Sequence, residues 1–415
     1  MGVLPEEIRL TPAQEQEAIA VQKHLHANPE LSQQEHETAK YLREQFLAIP
    51  LPEGVERQVT TAANTGFGVS FRNGEGPVVG FRADMDGLPV RELTGLPYAS
   101  QRTQVSAEDG EESPVMHACG HDSHMAAALG IARQLLAHPD LWQGTVVFIL
   151  QEAEEIGQGA KAMLADGFWD RLPHPEVLYG AHVIPRPAGT ISMYPGGVTT
   201  ATDGFSITVR GKSGHGSAPH TSIDPIVIGA SIVMRLQTIA ARETDPDRMA
   251  VVTVGSFRAG NRWNVIPAEA ELKITTRSRD AETRQIIFDA VHRIARAEAA
   301  AAGAPEPEIK VLTRVPATEN DPAETNRLAQ LFAAEFGEEN MVPEPFGFSE
   351  DFSEFARYLD IPYVFWLYGG FSEAQMNRPG GPVANHSPYF YADPELSLPT
   401  AIHAGLVAIL SRLGK

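Results

Sequence analysis

A single cysteine, Cys119, stands among 415 residues, so no internal disulfide can form and a reducing, cytoplasmic setting is expected. Cationic side chains are scarce. Against 53 Asp and Glu there are 33 Lys and Arg, a formal net charge of -20, which argues against a nucleic-acid or anionic-membrane partner but not against a small anionic substrate. No apolar run approaches the roughly 18 residues of a membrane span, and the first ten residues lack the basic start and apolar stretch of a signal peptide. What remains is an ordinary globular composition, 43% hydrophobic and 21% charged, in a chain long enough for two cores.

The polar residues are unevenly spread. Met116 to His124 reads Met-His-Ala-Cys-Gly-His-Asp-Ser-His, and a thiolate two residues from an imidazole can converge with it on one divalent cation. Elsewhere, apolar segments run directly into acids or histidine. Val78 to Arg82 leads to Asp84 and Asp86, Thr145 to Leu150 leads to Glu152, Glu154 and Glu155, and Val177 to Ala181 ends at His182. Such runs predict buried parallel strands whose C-terminal ends gather a site. Thr11-Pro12 with Gln14 predicts a capped helix towards His26, and Gln34 to Leu47 a second helix with Tyr41, Leu42, Phe46 and Leu47 buried. Gly66 to Arg72 alternates as a half-buried strand would, Met125 to Ala137 has helical spacing, and a last helix is expected over Pro399 to Leu413. The alternation of strands and helices predicts an α/β domain, a mixed and mainly parallel sheet with helices on both faces.

From about Thr199 to Arg314 the order changes to β-α-β-β-α-β, a ferredoxin-like unit. Gly196-Gly197 and the Pro-rich Val315 to Pro322 flank it. The expected organisation is therefore a sheet domain over residues 1–198 and 315–415, interrupted by an inserted domain over 199–314.

Four clusters, Cys119/His121, Glu154/Glu155, His182 and Asn385-His386-Ser387, offer the donors of a two-metal hydrolase. Each has a plainer reading: His182 a core histidine, the glutamate pair a solvated helix start, Cys119 a small hydrophobe. Cys119 could instead be a nucleophile, although catalytic Cys and His are usually joined by the fold and not by sequence adjacency. Gly157-Gln158-Gly159 with Ala162 fits a dinucleotide pattern, but the acids before it would repel a pyrophosphate. In Gly211 to Gly216 the lysine comes too early for a phosphate loop.

These motifs resemble the amidohydrolase branch of the two-metal M20 peptidases, a branch that includes hippurate hydrolases, N-acyl-amino-acid amidohydrolases and indoleacetyl-amino-acid hydrolases. The resemblance runs through His26 to Glu35, Arg82 to Pro89, Met116 to His124, Glu152 to Glu155, Gly180 to His182, Gly214 to His220, Asn264 to Pro267, Ser349 to Phe352 and Asn385 to Pro388. It implies a zinc-peptidase-like sheet domain with an inserted lid or dimerisation domain. It further implies Cys119, His121, Glu155, His182 and His386 as ligands of two divalent cations (zinc, manganese, cobalt or nickel), with Glu154 as general base. Asp84 and Asp86 would support the ligands from behind. On the lid, His215, Asn264 and Arg277 would meet substrate, His215 reaching a neighbouring subunit's site in a homodimer or higher homo-oligomer. The implied substrate is an N-acyl amino acid, cleaved to a carboxylic acid and a free amino acid, with a dinuclear carboxypeptidase or dipeptidase as the alternative. Glu152 stands where the family usually has proline, Ile156 where it has glycine, and the residues around Arg277 also depart from its usual form.

Overall fold

The computed structural model describes residues 2–107 and 110–415, which form two compact units. The first unit comprises the chain up to Gly196, Asn320–Pro345 and Asp351–Lys415; the second comprises Gly197–Glu319 and Phe346–Glu350.

The first unit opens with helix α1 (Pro12–Ala27), where Thr11 and Gln14 form the expected reciprocal capping box. Helix α2 (His36–Ala48) follows. It buries Thr38, Ala39, Leu42 and Phe46, but Leu47 is exposed. The expected stripe is wrong there because Leu47, one residue past Phe46, lies about 100° round the helix from it, and Tyr41 is only half-buried. Strands β1 (Val55–Thr61), β2 (Phe67–Asn73) and β3 (Val78–Asp84) come next. Strand β2 does not alternate. It is buried continuously from Phe67 to Phe71, since it lies between two other strands with both faces covered.

Helix α3 (His121–Ala137) begins inside the polar motif, four residues before its apolar run. Strand β4 (Gly144–Gln151) is buried at every position. After the short α4 (Gly159–Ala165), β5 (Val177–Pro187) continues through His182 and does not end there. Val183 and Ile184 extend the apolar run, and a parallel neighbour pairs with the strand from Leu178 to Pro187. Strand β6 (Ile191–Ser192) is short.

The second unit holds β7 (Ala201–Arg210), β8 (Gly214–His215), α5 (Pro225–Arg242), β9 (Ala250–Ala259), β10 (Val265–Ile266), β11 (Glu269–Ser278), α6 (Ala281–Ala301) and β12 (Glu308–Val315). Its four long strands form an antiparallel sheet in the order β9-β11-β7-β12. Phe205, Ile232, Leu236, Leu272 and Val291 are among its core residues. Phe346–Glu350 joins this unit from far along the chain, through the Phe346 N–H to the Val198 carbonyl at 2.7 Å and the Thr200 N–H to the Phe348 carbonyl at 2.8 Å.

The first unit resumes with α7 (Pro322–Phe336), β13 (Met341–Val342), α8 (Ser353–Leu359), β14 (Tyr363–Phe371) and α9 (Pro394–Leu413). Its sheet runs β1-β2-β4-β3-β5-β14-β6-β13, with the central neighbours β4, β3, β5 and β14 mutually parallel. Helix α9 starts five residues before Pro399, capped by Asp393, so the proline lies inside it. Its 20 residues hold an 18-residue window of mean hydropathy 1.4, long and apolar enough to cross a membrane, which the sequence expectation missed. That window is 67% buried in this structure, packed with α3 and β14 in the core. Each large apolar side chain buried there contributes about 1.5–3 kcal/mol.

Candidate metal centre

The ladder between β3 and β5 ends at Arg82 and Gly180. Beyond it the chains separate, and the crevice at the strand ends receives the first turn of α3. Gly120 makes that turn possible. Its φ of +86° is left-handed, and a Cβ there would lie 2.3 Å from Val183 Cγ1. Cys119 thereby stays outside the helix while His121 enters on its first turn.

Cys119 Sγ lies 3.3 Å from His182 Nε2 and 3.3 Å from His386 Nε2. His386 Nε2 is 3.4 Å from Glu155 Oε2, and His121 Nε2 is 3.7 Å from Glu155 Oε1. Two donor triads result, Cys119/His121/His182 and Cys119/Glu155/His386, with the donor atoms of each within 4.8 Å of one another. Glu154, 3.8 Å from His121 Nε2, belongs to a further group with His121 and Glu155. The five residues named as ligands thus meet in one place, with Glu154 beside them.

Hydrogen bonds decide which imidazole nitrogens carry a proton. His182 Nδ1 donates to its neighbour's carbonyl, Val183 O, at 2.7 Å, leaving Nε2 unprotonated and facing Cys119. His124 falls close to Asp84 and His121, yet its Nδ1 donates to Asp84 at 2.6 Å and its Nε2 accepts the Val183 N–H at 2.9 Å. Both its nitrogens are used. His117 enters no such group among the described residues, and burial pushes its pKa down to about 4, so it is neutral. Asp84 and Asp86 stand behind the donors. Asp86 Oδ1 is 3.3 Å from His121 Nδ1, and its Oδ2 accepts the Glu155 N–H at 3.0 Å and the Ser32 hydroxyl at 2.6 Å. Arg82 pairs with Asp84 at 2.6 Å.

The electrostatics ask for positive charge. Asp84, Asp86, Glu154 and Glu155 crowd a buried space, and burial followed by Asp86 pushes Glu155 up to about 8 even beside His121. Burial opposes charge on His121 too, but Asp84, Asp86 and Glu155 raise it to about 10. Cys119 is held well above the ordinary thiol range by burial and by Glu155, Glu154 and Asp84, which is unfavourable for a free thiolate nucleophile. Among the described residues, His121 Nε2 and Glu155 Oε1 are buried with no hydrogen-bond partner. Divalent cations would satisfy the donors and offset the acids together.

The loop after β4 shows why the glycine motif there is structural. A Cβ on Gly159 would fall 1.6 Å from the Glu152 carbonyl oxygen, so the glycine lets α4 close against the strand end. Glu35 and Thr65 also border this loop. Sequence reasoning gave Thr65 no part and Glu35 only a place in a motif, because their partners are distant in sequence: Thr65 meets Glu152, 87 residues on, and Glu35 meets Ala153, 118 residues on.

The remaining expected site residues lie in the second unit. His215 is exposed, its Nδ1 accepting from the Ser217 N–H and bonded to the Ser217 hydroxyl at 2.7 Å. Asn264 is beside it, with its carbonyl accepting the Gly216 N–H at 2.9 Å. Arg277 is elsewhere. It pairs across the sheet with Thr202, whereas the His215 end lies beyond the Arg210–Glu269 pair, roughly 26 Å away by strand rise. Arg277 donates to Ser349 Oγ at 2.8 Å. One chain therefore brings His215 and Asn264 together and keeps Arg277 apart.

Comparison with known proteins identifies the family. The family model described as Peptidase family M20/M25/M40 matches residues 80–408. A hippurate hydrolase of Campylobacter jejuni is 33% identical over 371 residues, 88% of this chain and 90% of that protein. Thermostable carboxypeptidase 2 of Saccharolobus solfataricus is 33% identical over 397 residues, 94% of each. The crystal structure of a dinuclear metal binding peptidase from the M20 family of Bacillus subtilis superposes with a TM-score of 0.75 at 31% identity, covering 97% of this chain and 100% of that one.

Proposed function

The chain belongs to peptidase family M20/M25/M40 and is a metal-dependent hydrolase of amide bonds; from that premise we propose that it cleaves N-acyl amino acids to a carboxylic acid and a free amino acid. The observation that carries this is the pair of donor triads sharing Cys119 with the buried Glu154 adjoining them. Cys119, His121, Glu155, His182 and His386 would hold two divalent cations, which supply Lewis acidity to the carbonyl and to water when bound. The mixed thiolate, imidazole and carboxylate set suits zinc, manganese, cobalt or nickel.

Glu154 takes the proton of the attacking water, and its carboxylate is held close to the reacting centre by burial on the turn after β4. It then delivers that proton to the leaving amine. Asp86 steadies both His121 and the Glu155 backbone, so that ligand and base keep their spacing. His215 stabilises the developing oxyanion, and Asn264 and Arg277 take the substrate carboxylate. Because Arg277 lies at one end of the four-stranded sheet and Asn264 beyond its other end, a shared carboxylate requires them from two chains, which supports a homodimer. The second unit offers a surface for it. Strand β9 is an edge with Val251 and Phe257 exposed, and Val227 and Met234 of α5 are 62% and 72% exposed. A buried cysteine serving as a reduced ligand fits the cytoplasm.

The carboxypeptidase reading is kept alive by the Saccharolobus relative. Rates on acetyl, benzoyl and long-chain acyl amino acids, measured beside dipeptides and longer peptides, separate the two. We expect kcat/KM for the best N-acyl amino acid to exceed that for any peptide by at least about tenfold, a difference of about 1.4 kcal/mol in transition-state binding. A peptide preference of the same size would shift the assignment to the carboxypeptidase.

A further inference from the structure

The turn that carries Glu154 and Glu155 is strained. Ala153, immediately before them, has φ +51° without being glycine, a conformation costing about 1–3 kcal/mol that surrounding contacts must hold. Its N–H donates to Glu35 Oε1 at 2.8 Å, and the same oxygen accepts the Gln33 N–H at 3.1 Å. Glu35 is fully buried. Its other oxygen, Oε2, is 2.6 Å from the Thr65 hydroxyl.

That hydroxyl has a second carboxylate neighbour, Glu152 Oε2 at 2.9 Å. A hydroxyl carries one proton, so two contacts this short require a second proton from one of the carboxyls. Glu152 Oε2 already accepts the Gly66 N–H at 2.8 Å and the Thr65 N–H; with the hydroxyl it has three donors, the environment of an anion. Glu35 Oε2 has only the hydroxyl as a hydrogen-bond partner among the described residues. The proton fits there. The chain of donation runs from Glu35 Oε2–H to Thr65 Oγ1, and from the Thr65 hydroxyl to Glu152.

We propose that Glu35 is a positioning residue that acts as a neutral carboxylic acid, braced by Thr65 and Glu152, and fixes the Ala153 turn so that Glu154 and Glu155 face the metal centre. The proposal rests on the roles given to Glu154 and Glu155 above. The charged groups facing Glu35 are Asp86, from the segment after β3, and Glu152, from the end of β4; with burial as the leading cause, Glu35 is pushed up from 4.5 to about 8.

Two variants separate a neutral acid from a carboxylate. Glu35→Gln keeps an acceptor for the Ala153 N–H and a donor for Thr65; Glu35→Ala keeps neither. With Glu35→Ala, kcat should fall on the order of 10- to 100-fold, and Glu35→Gln should restore it to near the native value with both variants' metal content measured alongside. Stability supplies a readout independent of turnover. Between 4.5 and about 8 the folded chain holds a proton on Glu35 that the unfolded chain has lost, so this contribution is full below 4.5, declines as pH rises and levels off above about 8. The Tm of the native protein minus that of Glu35→Gln should follow that decline. Glu35→Gln as impaired as Glu35→Ala would overturn the proposal, as would parallel Tm profiles, or a decline abolished by Glu152→Gln and not by Glu35→Gln. Should the protein hydrolyse no amide, the function assigned above fails while the Tm comparison still tests Glu35.

Discussion

Glu154→Gln should bind its metals as the native protein does and lose about 10²–10⁴-fold in kcat, or about 3–5 kcal/mol of transition-state stabilisation. Glutamine has nearly the same shape, so the turn fixed by Ala153 and the neighbouring Glu155 should keep their places. What it lacks is basicity. Glu154 is 8% exposed and lies among acids, so a carboxylate there has few competing solvent contacts and a proton it accepts stays near the reacting atoms. KM should change little, because the loss falls on a step after binding. Near-native turnover in the variant would place the base elsewhere. Loss of a metal would make Glu154 a ligand, which its grouping with His121 and Glu155 makes a real alternative.

Cys119→Ala should produce the opposite pattern, with metal and activity falling together. Its sulfur is common to both triads, so its removal takes one donor from each. Outer supports of a metal site already cost 10- to 100-fold in affinity when mutated, and a shared ligand should cost more than about 100-fold. Cys119→Ser, with a weaker and harder donor, should fall between. Metal analysis of each purified variant beside its rate decides the matter. Activity abolished with full metal retained would mean that the sulfur attacks substrate.

Much of this site could be read in the chain because short-range chemistry places it. The Cys119-Gly-His121 spacing, the apolar run of β4 leading into Glu154 and Glu155, and the capping box at Thr11 each express a local rule. Features set by distant partners were not legible. His182 lies within β5 because β14, nearly two hundred residues later, continues the ladder past it. Pro399 lies inside α9 because Asp393 provides an earlier cap. That His124 is spent on structure depends on Asp84 and the Val183 N–H, and no sequence pattern distinguishes it from His121. Glu35 is the strongest case: its neutral state follows from one hydroxyl placed between two carboxyl groups.

The central claim is that this centre hydrolyses amides through bound divalent cations held by these five side chains. Titrating zinc, manganese, cobalt or nickel into metal-free protein while following both bound metal and hydrolysis of an N-acyl amino acid tests it most directly. The account predicts negligible hydrolysis without metal and full activity as binding reaches two cations per chain. Hydrolysis at an undiminished rate in verified metal-free protein would contradict it.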